Sequence, residues 1–91
     1  MIPEIKDPQD WYTVELMLKQ MSRNLPEFRH DYFKLVKNIE TKITELGKID
    51  IELRNRYSIT YKQKRTEKLR EINDAIRMFS KMHLIASLAK R

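Results

Sequence analysis

The chain has 91 residues, of which 35% are charged, with 19 Lys/Arg against 13 Asp/Glu and no cysteine. That bounds it to one small domain with neither disulfides nor thiolate metal sites, and the net charge of +6 favours acidic partners. Three prolines within the first 26 residues and a single glycine leave too few turn residues for a β architecture. No apolar run approaches the ~18 residues of a membrane span. The start Met1-Ile2-Pro3-Glu4 lacks the layout of a signal peptide, so a soluble, cytoplasmic protein is expected.

Residues 1–6 read as an extended, proline-containing lead-in whose Ile2 and Ile5 can dock on a neighbour. Asp7-Pro8-Gln9-Asp10 is a helix start, with Asp7 as cap and Pro8 at the first helical position. Trp11, Val14, Leu18, Met21 and Leu25 then make one stripe at 3-4-3-4 spacing, which predicts helix 1 over 8–24. Trp11 is expected in the core. Asn24-Leu25-Pro26-Glu27 repeats the start signal, Asn24 capping and Glu27 completing a capping box. The stripe resumes at Phe28, Tyr32, Leu35, Ile39, Ile43 and Leu46 and predicts helix 2 over 25–56. Gly47 interrupts it, either as a C-cap or as an interior glycine costing about 1 kcal/mol. The later turn, near Tyr57–Thr60, gives two helices of matching length and leaves Ser58 or Thr60 to cap helix 3 over 60–90.

In helix 3, Leu69, Ile72, Ile76, Phe79, His83 and Ala86 keep heptad spacing, and a second row at Ala75, Met78, Met82, Ile85 and Ala89 lies beside it. A narrow stripe suits a two-helix seam, whereas a wide one must cover two neighbours. The expected fold is therefore all-α: a short N-terminal helix packed on the base of a long antiparallel helical hairpin. It would have a three-helix base, where helix 1 covers the wide face of 75–89, and a two-helix coiled-coil arm.

Charge is uneven along this plan. Residues 1–53 carry eight Lys/Arg and ten Asp/Glu, whereas 54–70 carry seven cations against Glu67 alone. The candidate nucleic-acid-binding residues are thus Arg54, Arg56, Lys62, Lys64, Arg65, Lys68 and Arg70, which can meet phosphates and release counterions. Tyr57 and Tyr61 are interleaved with them and can stack on unpaired bases. The same stretch also fits an acidic protein surface, or a coiled-coil tip kept soluble by charge. Met78, Met82 and Ile85 are the candidate protein interface, for a partner or a second copy, if helix 1 leaves them uncovered.

Catalytic chemistry finds no footing. His30 and His83 have no further ligands at metal-binding spacing, and His83 continues an apolar stripe as a packing residue. No glycine loop cradles phosphate, and the acids alternate with lysines as a solvated face. No enzyme activity, cofactor, metal or small-molecule substrate is expected. The segment Tyr57–Arg70, entering a helix that closes on Met82-His83-Leu84-Ile85-Ala86-Ser87-Leu88-Ala89-Lys90-Arg91, resembles the small helical accessory proteins of T4-type phages, among them the kind encoded beside the UvsW recombination helicase. The likeness is one of whole-chain character. It implies an accessory role in DNA recombination or repair and assigns no individual residue.

Overall fold

The structure is a computed structural model and describes residues 2–89. It is all-α: α1 spans Trp11–Asn24, α2 Arg29–Asn55 and α3 Ile59–Ala89, with single 3-10 turns at Pro8–Asp10 and Pro26–Phe28 leading into α1 and α2. No strand occurs among the described residues.

The first helix start follows its local signal and the second does not. The Asp10 carboxylate reaches back to the backbone N–H groups of Lys6 (2.9 Å) and Asp7 (3.0 Å), donors that would otherwise lack a partner. These two bonds, that of Lys6 foremost, hold the Asp10 pKa below its ordinary value. Asp7 is the N-cap of this start and forms a capping box with Asp10, and its carboxylate also accepts from Arg65 at 3.0 Å. Asn24 closes α1 and does not cap α2: Leu25, 3% exposed, links the two, and α2 starts only after the proline turn, with no side-chain cap at Phe28. The proline explains the delay, since its ring keeps the preceding residue out of the helical region.

Gly47 lies inside α2, which continues to Asn55. Its φ is not positive and a Cβ there would meet nothing within 4 Å, so it is a tolerated interior glycine. The chain reverses over Arg56–Ser58, where Arg56 is extended (φ −161°, ψ 141°). Ser58 opens α3: its carbonyl accepts from the Lys62 N–H at 3.0 Å and its hydroxyl from the Tyr61 N–H at 3.4 Å.

Three cross-helix contacts fix the relation of α2 to α3. Lys42 meets Glu71 at 2.9 Å, Glu45 meets Lys68 at 2.6 Å, and Asp50 meets Arg65 at 2.6 Å. Residue numbers rise on α2 as they fall on α3, so the two run antiparallel. Between them and α1 lies a single core of Trp11, Val14, Leu18, Tyr32, Ile39, Leu46, Ile72, Ile76 and Phe79, joined by Ile5 from the lead-in. Each such aliphatic side chain contributes about 1.5–3 kcal/mol by leaving water.

Helix α1 packs chiefly along α2. Its start, from Pro8 to Tyr12, borders Glu40, Ile43 and Thr44, and near its end the Met21 carbonyl sits 2.6 Å from His83 Nε2. The lead-in continues past α1 onto α3. There the buried Asn73 side chain grips the backbone of one residue on both sides: Ile5 N–H donates to Oδ1 (2.8 Å) and Nδ2 donates to the Ile5 carbonyl (3.0 Å). The whole is a rod of 53 × 18 × 16 Å.

One expectation fails. Helix α1 does not cover the second row of α3. The buried face of α3 is the narrow 4-3-4 row Ile72, Ile76, Phe79 and His83. Met78 is 67% exposed, Met82 48% and Ile85 58%, and Leu84 and Leu88 are also out. At about 100° per residue, Met78 points a quarter-turn or more away from Phe79, beyond the reach of a helix seated on the opposite flank.

Candidate nucleic-acid interface

The free end of the rod consists of the last turn of α2, the link Arg56–Ser58 and the first turns of α3. Arg54, Arg56, Lys62 and Lys64 are all exposed there. Among the described residues no acid comes within ion-pair reach of any of them, or of Arg70. The local cause is register. Pairing of Asp50 with Arg65 sets residues 61–64 of α3 at the level of 51–54 of α2, where Leu53 is half-buried and Ile51 exposed. Glu52, the acid of that turn, is exposed and makes no ion pair.

The tyrosines are arranged with the lysines. Tyr57 is 69% exposed, and the Lys62 ammonium lies 5.9 Å from its ring centroid. Tyr61 is half-buried, and Lys64 Nζ lies 5.3 Å from its ring. Each pair is within cation–π range. Beside them Ile51 and Ile59 are more than half exposed, so the end surface mixes apolar faces with unpaired positive charge.

Three of the seven candidate cations do not belong to this surface. Arg65 is held three ways: Nε donates to Asp50 at 2.6 Å, and an Nη donates to Asp7 at 3.0 Å and to the Lys6 carbonyl at 2.8 Å. Lys68 sits between Glu45 at 2.6 Å and Glu71 at 3.7 Å. The hydrogen bond to Glu45 is the main reason its pKa lies above the ordinary 10.5. Bonding to Lys68 lowers the Glu45 pKa in turn, and bonding to Lys42 lowers that of Glu71. These pairs are partly exposed, so each is worth little on its own. Their effect is to fix helix register. Arg70 is exposed but lies away from the end: it shares a shallow groove with Lys6, Thr66 and Asn73, and at 1.5 Å per residue it is roughly 16 Å down α3 from Ile59.

Counting residue types could not separate Lys62 and Lys64 from Arg65 and Lys68, because the partners come from α2 and the lead-in. Asn73 and Asp50, which organise this belt, carried no signal of their own beyond a polar residue amid an apolar run. His83 is 7% exposed, hydrogen-bonded to Met21 and packed against Phe28 and Phe79 at centroid distances of 6.0 and 6.3 Å. No cluster of His, Asp or Glu fit for a metal occurs among the described residues. No helix among them is long and apolar enough to cross a membrane.

Fold and site together define a small all-α chain with one cationic, tyrosine-bearing end. Comparison with protein families, characterised proteins and solved structures gave no match to this chain.

Proposed function

We propose that the protein is a non-catalytic nucleic-acid-associated accessory protein, in which an antiparallel helical hairpin serves as an arm and presents its basic tip to phosphates. The observation that carries this reading is the set of four exposed cations at one end of the rod, Arg54, Arg56, Lys62 and Lys64, none of which has an ion-pair partner among the described residues. Charge left unpaired and concentrated at one point attracts a polyanion and releases its counterions on contact. The resemblance to phage accessory proteins suggests DNA recombination as the setting.

Four neutralised phosphates predict a loss of roughly a hundredfold in affinity between about 50 and 200 mM salt. Fluorescence anisotropy with labelled oligonucleotides measures this. A variant carrying Arg54→Glu, Lys62→Glu and Lys64→Glu should lose binding while keeping its helical circular dichroism. Equal binding by that variant, or none by the wild type, removes the reading.

A second reading rests on the opposite end. Met78, Met82, Leu84, Ile85 and Leu88 form an exposed apolar surface of the size, roughly a few hundred Å², that marks interaction sites. No acid lies between residues 75 and 89, the Arg77 charge is met by Asp74 at 3.1 Å, and Lys81 is exposed without an ion pair among the described residues. The surface thus suits a second copy, packed two-fold on the same face, which would leave the two basic tips pointing outward. Light scattering at about 100 μM, near the micromolar range expected of so small an interface, should show dimers that Met78→Glu with Ile85→Glu abolishes. A wild-type monomer at that concentration excludes it.

A further inference from the structure

We infer that the nucleic acid bound at the basic tip is single-stranded, a step that rests on the proposed function and narrows it to one class of ligand. The first ground is shape. The tip is the blunt end of two helices, each about 10–12 Å across with its side chains, lying side by side and joined by a three-residue link. A major groove about 12 Å wide admits one helix, not two. Arg54, Arg56, Lys62 and Lys64 lie within about one helical turn or two on each strand of the arm, so this end meets a short stretch of backbone.

Surface chemistry supplies the second ground. Phosphates alone would call for cations alone, yet Tyr57, Ile51 and Ile59 are 69%, 55% and 64% exposed among those cations. In a duplex the flat apolar faces of the bases are stacked inside and cannot reach such groups. In an unpaired strand they are open, and stacking on aromatic side chains is how sequence-tolerant single-strand binding is built. The two lysine–tyrosine pairs are arranged for this. Lys62 lies on one face of the Tyr57 ring, so a base can take the other face while the ammonium stays beside the strand's phosphate. Lys64 and Tyr61 repeat the unit with a half-buried ring. Tyr57 is the principal stacking platform, and Arg54, Arg56, Lys62 and Lys64 follow the backbone.

The test uses the full chain and labelled oligonucleotides of about 20 units, as oligo-dT, oligo-rU and a mixed-sequence duplex, each titrated across salt. Single strands should bind at least tenfold more tightly than the duplex. Tyr57→Ala should weaken single-strand binding by about tenfold and leave the salt slope unchanged, whereas Tyr57→Phe should retain it. Lys62→Gln should instead lower the salt slope by about 0.7. The exposure of Tyr57 means the alanine variant keeps the fold, which circular dichroism checks. A duplex bound as tightly as the single strand, or a Tyr57→Ala effect under twofold, overturns the single-strand inference and leaves the phosphate-binding reading standing. If no oligonucleotide binds, the broader reading falls first. Relative binding of dT and rU tells which sugar the tip accepts.

Discussion

Lys62 and Lys64 lie within one or two turns of Arg65 and Lys68 on the same helix, yet the two pairs meet opposite fates. Arg65 and Lys68 are clamped by Asp7, Asp50, Glu45 and Glu71. Lys62 and Lys64 meet only tyrosine rings. What separates them is position against the rest of the rod. The lead-in reaches α3 as far as Arg65, and the last α2 acid paired across the seam is Asp50. Beyond that level the acid of α2 is Glu52, which is exposed and makes no ion pair among the described residues. A run of positive charge is therefore two things: a belt whose charges hold helices in register, and a free end whose charges are available to a ligand. Substitutions in the belt should change stability, and substitutions at the end should change binding.

The largest effect expected on that division is at Asn73. Asn73→Ala removes both hydrogen bonds to Ile5 and leaves a buried N–H and C=O without partners, a loss of about 2–4 kcal/mol. Urea denaturation should show it, with oligonucleotide affinity unchanged in the folded protein. A loss below about 0.5 kcal/mol would mean that the lead-in is not part of the cooperative fold.

A sharper comparison sets Arg65→Gln against Lys62→Gln, which remove the same charge three residues apart. The side chains of Arg65 and Asp50 are 25% and 18% exposed, so the first should cost about 1–2 kcal/mol, more than a surface pair. The second should stay within about 0.5 kcal/mol. In binding assays the order should reverse. Equal stability effects at the two sites would erase the distinction between belt and end.

The smallest effect is a pH dependence. Glu45 and Glu71 have folded pKa values below their ordinary 4.5, chiefly through hydrogen bonds to Lys68 and Lys42 respectively. A lowered carboxylate pKa means that the unfolded chain takes up protons first as pH falls. The stability these groups contribute is then complete above pH 4.5 and is lost as pH drops through the folded values. The Asp10 carboxylate, lowered from 3.8 by the Lys6 and Asp7 N–H groups, acts in the same direction. The melting temperature should be level from pH 7 to 5 and decline below about 4.5. A decline beginning near neutrality would point to groups outside the belt.

Much of this was written in the sequence. The 3-4 spacing of apolar residues and the near absence of glycine and of later prolines establish an all-α chain, because only a 3.6-residue period brings Trp11, Val14 and Leu18, or Ile72, Ile76 and Phe79, onto one face. The concentration of cations after residue 53 was equally plain. Local capping signals were less dependable: Asp7 caps the first turn and also engages Arg65, whereas the Pro26 turn displaces Asn24. The site was legible in its residue types and not in its membership. Arg65 and Lys68 left the candidate set chiefly because Asp7, Asp50 and Glu45 are 15 or more residues away in sequence and adjacent only after folding, with Glu71 joining from one turn along α3.

Amino-acid order by itself thus determined helices, stripes and net charge, which depend on neighbours within one or two turns. Tertiary structure alone decided which charges are spent and which apolar row stays open. Met78, Met82 and Ile85 carry the same periodic signal as the buried row beside them. They remain in water because a 14-residue α1 covers one flank of the α2–α3 pair and not both, so the choice of flank, made by packing across the whole core, sets what the surface offers.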